Sequence, residues 1–247
     1  MTDSQWKIIE KILKDKRKRP RHNLREVFNA IFYVVKTGCQ WRMLPREFGP
    51  WTSIYYYYER FRRLGVIEKI HNELRKRVRN SQGRHQEPSC CIIDSQSVKT
   101  TRSGSEVRGL DGGKLIKGRK RHIVCDTTGL ILSVQVHAAN IHDSKQALEI
   151  LSTAKAQSTR LEAVFADGGY RGELVDKVTQ TLNMTMNIVL RSWPDKVFKP
   201  LPKRWVVERT FSWFESFRRL SKDYEFLNIS SQSMIYLSMI QIMLNKL

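Results

Sequence analysis

Apolar residues recur every three or four positions through the first 80 residues. From residue 89 onward they gather instead into short unbroken runs bounded by turn-forming residues. The first pattern predicts amphipathic helices, the second strands buried on both faces. Trp6, Ile9, Ile12 and Leu13 line one predicted helix. Val27, Ile31, Val34 and Val35, joined by Phe28 and Phe32, line the next, with Gly38 as its C-cap. Pro50, Thr52 and Ser53 mark a further helix start. The segment SIYYYYERFRRLGVIEKIHNELRKRVR then predicts helices joined by a short turn, the last one basic. Most of Tyr55–Tyr58 are expected in the core, with one or two facing outward. Such helices suit a helix-turn-helix-like DNA binder as well as a plain bundle.

Beyond a polar stretch at 81–88 (SQGRHQEP), the strand-like runs begin. CCIIDSQSV (90–98) predicts a buried strand bearing Asp94. Residues 121–139 predict two strands joined at Asp126-Thr127-Thr128-Gly129, a hairpin signal. A helix (142–155), a strand ending at Asp167, a helix (171–182) and a strand (186–191) follow. RWVVERTFSWFESFRRL (204–220) predicts a helix bearing Glu208, and an apolar helix around Met234–Leu244 closes the chain. This order of elements is that of a ribonuclease H-like domain. Three antiparallel strands carry a fourth, parallel to the first and reached by a right-handed crossover. The expected class is therefore α/β, a mixed sheet flanked by helices, with an N-terminal all-helical domain. The expected boundaries are 1–80 helical and DNA-binding, 81–88 linker, and 89–247 catalytic.

Charge narrows the partner. The 247 residues hold 44 Lys+Arg against 24 Asp+Glu, a net charge of +20. That excess favours a polyanion, because each cation set beside a phosphate releases condensed counterions. Cys39, Cys90, Cys91 and Cys125 form no C-x-x-C pair and read as thiols in a reducing compartment. No apolar run reaches membrane-spanning length, and residues 1–6 lack a signal-peptide pattern. The expected location is a reducing cytoplasm, with no membrane partner.

Candidate chemistry centres on three acids. Apolar runs precede Asp94 and Asp167 and would deliver each carboxylate to a sheet rim, where ligands collect beside parallel strands. The predicted topology makes those two strands neighbours. Two magnesium ions about 4 Å apart, held by a few carboxylates, can activate a nucleophile and stabilise a leaving oxygen. Alone, each acid has a commoner explanation. Asp94 could cap a turn, Asp167 could precede a Gly-Gly turn, and Glu208 could pair with Arg204 at i,i+4. GKLIKGRKRH (113–122) holds five Lys/Arg in ten residues. Its Lys117, Arg119, Lys120 and Arg121 are candidate contacts to the DNA backbone, as are Arg204 and Arg209 on the glutamate's helix. Trp193, Trp205 and Trp213 are candidate stacking residues, core packing being the better reading for Trp213. His122, His137 and His142 lack zinc-ligand spacing.

IIDSQSVKT, VRGLDGGKLIKGRKRHIVCDTTGLILSVQVHAANIHD, FADGGYRG and RWVVERTFSWFESFRRLSKDYE closely resemble bacterial insertion-sequence transposases of the group numbered five. That group belongs to the DDE superfamily and is related to the insertion-sequence group four type. TDSQWKIIEKIL and GCQWRMLPREFGPW extend the resemblance across almost the whole chain. The resemblance implies that Asp94, Asp167 and Glu208 are the catalytic, metal-holding acids. Asp94 would bridge two Mg2+ ions (Mn2+ substituting), with Asp167 and Glu208 each serving mainly one. It implies a phosphate-binding role for Arg204. It further implies that element terminal inverted repeats and target DNA are partners, and that the chain forms a homo-oligomer, a dimer being expected. Relatives often carry a basic residue about two turns after the glutamate; here Glu215 and Ser216 stand there. The expected activity is cleavage of a mobile element's ends and their joining to target DNA. The rivals are a nuclease or resolvase that only cuts, a transposase-derived DNA binder, and a basic protein of the translation machinery.

Overall fold

The computed structural model describes residues 1–13, 22–102, 104–190 and 204–247. The basic run KDKRKRPRH falls almost wholly outside the described residues, as does Trp193. The chain forms two compact units. One holds 1–84, 214–221 and 233–247; the other holds 85–213 and 222–232. The helical unit thus takes in late segments that the expected division at 89 assigns to the catalytic domain.

The helical unit holds α1 (Asp3–Leu13), α2 (Leu24–Thr37), α3 (Trp51–Arg63) and α4 (Val66–Ser81), and a two-residue turn joins α3 to α4. α2 begins where the Asn23 side chain accepts the Arg25 N–H. It ends at Gly38, which adopts φ 72° and donates its N–H to the Val34 carbonyl. That conformation suits glycine, which has no Cβ to clash. The apolar stripe of α2 is buried, and Phe28 stacks on Phe61 of α3 at 5.1 Å. Of the four successive tyrosines, Tyr57 and Tyr58 are buried while Tyr55 and Tyr56 are exposed. The basic character of α4 is only partly superficial, since Arg75 and Arg79 are buried.

The second unit is built on a six-stranded sheet. Its strands are β1 (Cys90–Lys99), β2 (Gly109–Asp111), β3 (Ile116–Asp126), β4 (Ile131–Ala138), β5 (Ala163–Ala166) and β6 (Thr185–Ile188). β3 is central among the antiparallel strands, pairing β1 on one side and β4 and the short β2 on the other. β5 runs parallel to β1, and β6 parallel to β5. The path β4-β3-β1-β5-β6 is the ribonuclease H-like arrangement. α5 (Asp143–Gln157) and α6 (Glu173–Leu182) cover one face. There Cys91, Ile93, Val124, Val164 and Ala166 pack with Ala147, Ile150, Leu151 and Val178. Side chains alternate across a sheet with a period of two. Ile92, Asp94, Phe165 and the extended Asp167 therefore point to the other face.

The candidate active site

The β1–β5 register sets Ile92 opposite Phe165. Continued two residues along, it brings Asp94 level with Asp167, which is extended (φ −83°, ψ −179°) at the end of β5. The third acid arrives on α7 (Arg204–Glu215). Arg204 joins the set, its guanidinium standing 3.4 Å from a Glu208 oxygen and 4.0 Å from an Asp167 oxygen. Parity, parallel pairing and one bridging arginine thus gather acids spread over more than a hundred residues of sequence.

Electrostatics mark Asp94 as the tense member. Burial, with the charge of Asp167, raises its pKa to about 6, against the pull of the Ser95 N–H, Arg204 and Lys114. Asp167 and Glu208 are more open to solvent, and Asp167 lines an open cleft of about 500 Å³. The cleft takes in Asp167, Arg171, Leu190 and Arg204, so two cations stand over it. The Asp167 turn is firmly built. Its carboxylate accepts the Gly169 N–H at 2.8 Å, and its carbonyl accepts the Tyr170 N–H. Below the turn, the buried Tyr170 hydroxyl meets the His122 Nε2 at 2.8 Å.

The height of α7 is set by the β3–β4 hairpin. Asp126 accepts the Thr128 and Leu130 N–H groups and fixes the turn. Gly129, at φ 86°, lies against the helix; a Cβ there would come within 2.8 Å of the Thr210 hydroxyl and 3.0 Å of the Trp213 ring. Thr210 donates to the Gly129 carbonyl, and Arg209 donates to the Thr128 carbonyl, each at 2.9 Å. Arg209 and Thr210 directly follow Glu208 in the chain.

The expected DNA contacts divide. Lys117 is exposed. Arg119, in contrast, is fully buried, and its guanidinium binds Asp223 and the carbonyls of Val107, Glu225 and Phe226. Arg121 is buried against the Lys222 carbonyl, and burial lowers its pKa to about 10. Lys120 is buried too, paired with Asp143 at 2.9 Å. These three are corrections to the phosphate-contact reading: they lie on a strand paired on both edges, and their charged ends are buried within the fold. Arg209 is likewise drawn inward, against the rings of Trp205 and Trp213 at 4.7 and 5.1 Å. Lys114, from the same basic stretch, is exposed and close enough to act on Asp94, and it bonds the Ser95 carbonyl. It and Arg171 are site residues that the sequence reading passed over. Each follows a glycine-containing turn beside an acid, which is the signal that could have found them.

Oxygen donors and mutual repulsion between Asp94 and Asp167 suit a hard divalent cation. As placed, no three His, Cys, Asp or Glu side chains among the described residues stand close enough to hold one ion. Arg204 takes the position of the positive charge between Asp167 and Glu208.

A family described as "Transposase DDE domain" matches residues 85–243, well over half of the chain. The chain belongs to the DDE transposases. A second family, described as "Putative transposase of IS4/5 family", matches residues 1–71. Members of the DDE transposase family are generally dependent on divalent metal ions. This chain is 32% identical over 116 residues to a Burkholderia cepacia protein named "Putative transposase for insertion sequence element IS402". That match covers 44% of this chain and 54% of the relative, so the chain spans about half the length of that relative. It is 26% identical over 118 residues to the uncharacterized protein y4sN of Sinorhizobium fredii (strain NBRC 101917 / NGR234), covering 47% of this chain and 88% of that one. Among solved structures, a crystal structure of the Mos1 strand transfer complex aligns at 13% identity and a TM-score of 0.30, covering 94% of this chain and 78% of that one. The strand topology, and not that weak likeness, carries the fold. Among the described residues no helix is long and apolar enough to cross a membrane.

Proposed function

We propose that this protein cleaves the ends of a mobile DNA element and joins them to target DNA, with Asp94, Asp167 and Glu208 as its catalytic acids. The observation that carries the reading is the placement of Asp94, Asp167 and Arg204–Glu208 on one face of the sheet, beside an open, cation-lined cleft. Two magnesium ions, manganese substituting, are the group these carboxylates would hold. When bound, they would activate the attacking hydroxyl and stabilise the leaving oxygen of an in-line displacement.

The chain's own residues supply the rest. Asp94, ionised above its raised pKa, and Asp167 provide converging negative charge at the strand ends. Arg204 relieves that charge in the resting protein and is placed to hold a backbone phosphate. Arg171 and Lys114 approach from the Asp167 turn and the β2–β3 connection and hold neighbouring phosphates. The helical unit, with the exposed Lys69 on α4, contributes duplex binding. The terminal inverted repeats, the target DNA, a dimeric assembly and a location on the bacterial nucleoid belong to the same proposal.

Purified protein incubated with duplex from the flanks of its own gene and Mg2+ or Mn2+ tests this reading. Nicking at the element boundary followed by joining to a second duplex is the expected result. Cutting with no joining supports a nuclease instead, and no cutting under any metal overturns the proposal.

A further inference from the structure

The fully buried Arg119 holds something other than a phosphate. Its donors run to the carbonyls of Glu225 and Phe226 and to the Asp223 carboxylate. Asp223 in turn accepts the Ser231 hydroxyl and the Glu225 N–H. The Phe226 carbonyl also accepts the Glu106 N–H, and the Glu106 carboxylate accepts the Asn228 N–H. Residues 223–228 are therefore fixed from beneath at nearly every backbone position. What they present is apolar: Phe226 is 63% exposed, and Tyr224, Leu227 and Ile229 are 42%, 36% and 46% exposed. Rigid support under an exposed apolar tip is unusual, because exposed apolar side chains gain nothing from water and loops are otherwise mobile.

The segments bonded to this loop carry exposed cations. Lys99 gives its carbonyl to the Asp223 N–H, Lys222 adjoins Asp223, and Arg108 follows Val107, whose carbonyl accepts from Arg119. Arg102 lies two residues beyond Thr100, which bridges to Asp223. Against these four stand Glu106, whose carboxylate is engaged by Asn228, and Glu225.

We propose that the 224–227 loop, together with Ile229 in the first turn of the helix that follows, is a DNA-contacting wedge. Phe226 and Leu227 press against sugar edges or an opened base step, and Lys99, Arg102, Arg108 and Lys222 take the adjoining phosphates. Charge selects this occupant over a second copy of the chain. A protein of net charge +20 would bring further cations to a patch already ringed by them, whereas a polyanion is attracted there. The inference rests on the DNA-processing reading and adds a contact outside the acid site.

The test is the double variant Phe226→Ser, Leu227→Ser in the full chain, with a 30-base-pair duplex carrying 2-aminopurine as probe. Both side chains are exposed, so the melting temperature should be unchanged. Binding should weaken roughly tenfold, the scale of one lost base-stacking contact, and the 2-aminopurine signal seen with the parent should fall. Phe226→Trp should keep binding and show indole quenching by DNA. Equal binding by parent and double variant overturns the wedge while leaving the DNA reading intact. A lowered oligomer mass by light scattering with unchanged DNA binding assigns the loop to a second copy and also overturns it. Failure of the parent to bind duplex at all defeats both readings.

Discussion

The two faces of the sheet carry two polar clusters built from the same strands, and the clusters behave oppositely. On the α5 side, Lys120 pairs with Asp143, Tyr170 bonds His122, and His137 meets His122 at 3.5 Å. Its charges and hydrogen-bonding atoms find partners inside the fold. On the opposite side, Asp94 and Asp167 repel one another, and Arg204 reaches them only at 4.0 Å or from the Glu208 side. A buried network that closes on itself adds stability and a unique geometry. One that leaves like charges facing a cleft stores unfavourable energy that only an outside ligand can release. The difference separates architecture from chemistry without reference to residue type.

The largest expected effect lies on the open side. Asp94→Asn should lower metal-dependent cleavage by roughly a thousandfold or more, since one ligand oxygen and its charge are lost. Duplex binding should stay within about twofold, as read by gel-shift titration. Near-parental cleavage would remove Asp94 from the chemistry. On the closed side, His122→Ala should destabilise the protein by about 2–4 kcal/mol, through a cavity and an orphaned Tyr170 hydroxyl, and Tyr170→Phe by about 1 kcal/mol. Urea unfolding measures both. If Tyr170→Phe instead suppresses cleavage far beyond its effect on stability, the closed cluster is not merely architectural.

The pKa directions sharpen the contrast. Asp94 is raised from 3.8 to about 6, so its folded state binds a proton more tightly than its unfolded state. Its stabilising contribution is full below about pH 4 and is lost as pH rises through 6. In EDTA at pH 7, Asp94→Asn should therefore be more stable than the parent by on the order of 1–2 kcal/mol, after discounting for partial exposure. That gain should vanish near pH 4. His122 is shifted the other way, downward, chiefly by burial, as is His71, which reaches about 3. Their contribution is present above about pH 6.5 and lost as pH falls below it. Melting curves of parent and variant from pH 4 to 8 check both signs.

The smallest effect compares two lysines of one strand. Lys117→Ala should weaken duplex binding a few-fold and reduce the slope of log affinity against log salt by about one. Lys120→Ala should leave that slope unchanged and lower stability instead.

Much of this arrangement was legible in the residues. The apolar runs before Asp94 and Asp167, and the order of strands and helices, led to the β1–β5 pairing. The hairpin at Asp126–Gly129 followed from turn chemistry. The fate of Arg119, Lys120 and Arg121 was not legible. Dense cationic sequence reads as surface, while the partners that bury Arg119 and Arg121 lie about a hundred residues away, at 222–226. The late apolar helix α8 (Asn228–Leu244) was visible as an element, but periodicity cannot say which core it joins, and from residue 233 it belongs to the helical unit. Nothing in the sequence sets Lys114 apart from its basic neighbours, because only the tertiary fold brings the β2–β3 connection beside Asp94.

The contact at Gly129 has a consequence for how such genes decay. A residue with no side chain governs how far the glutamate helix can settle onto the hairpin. A copy could retain all three acids, and every cation near them, yet fall silent through a single added methyl group there. Inventories of intact acidic triads would then overcount the elements still able to move.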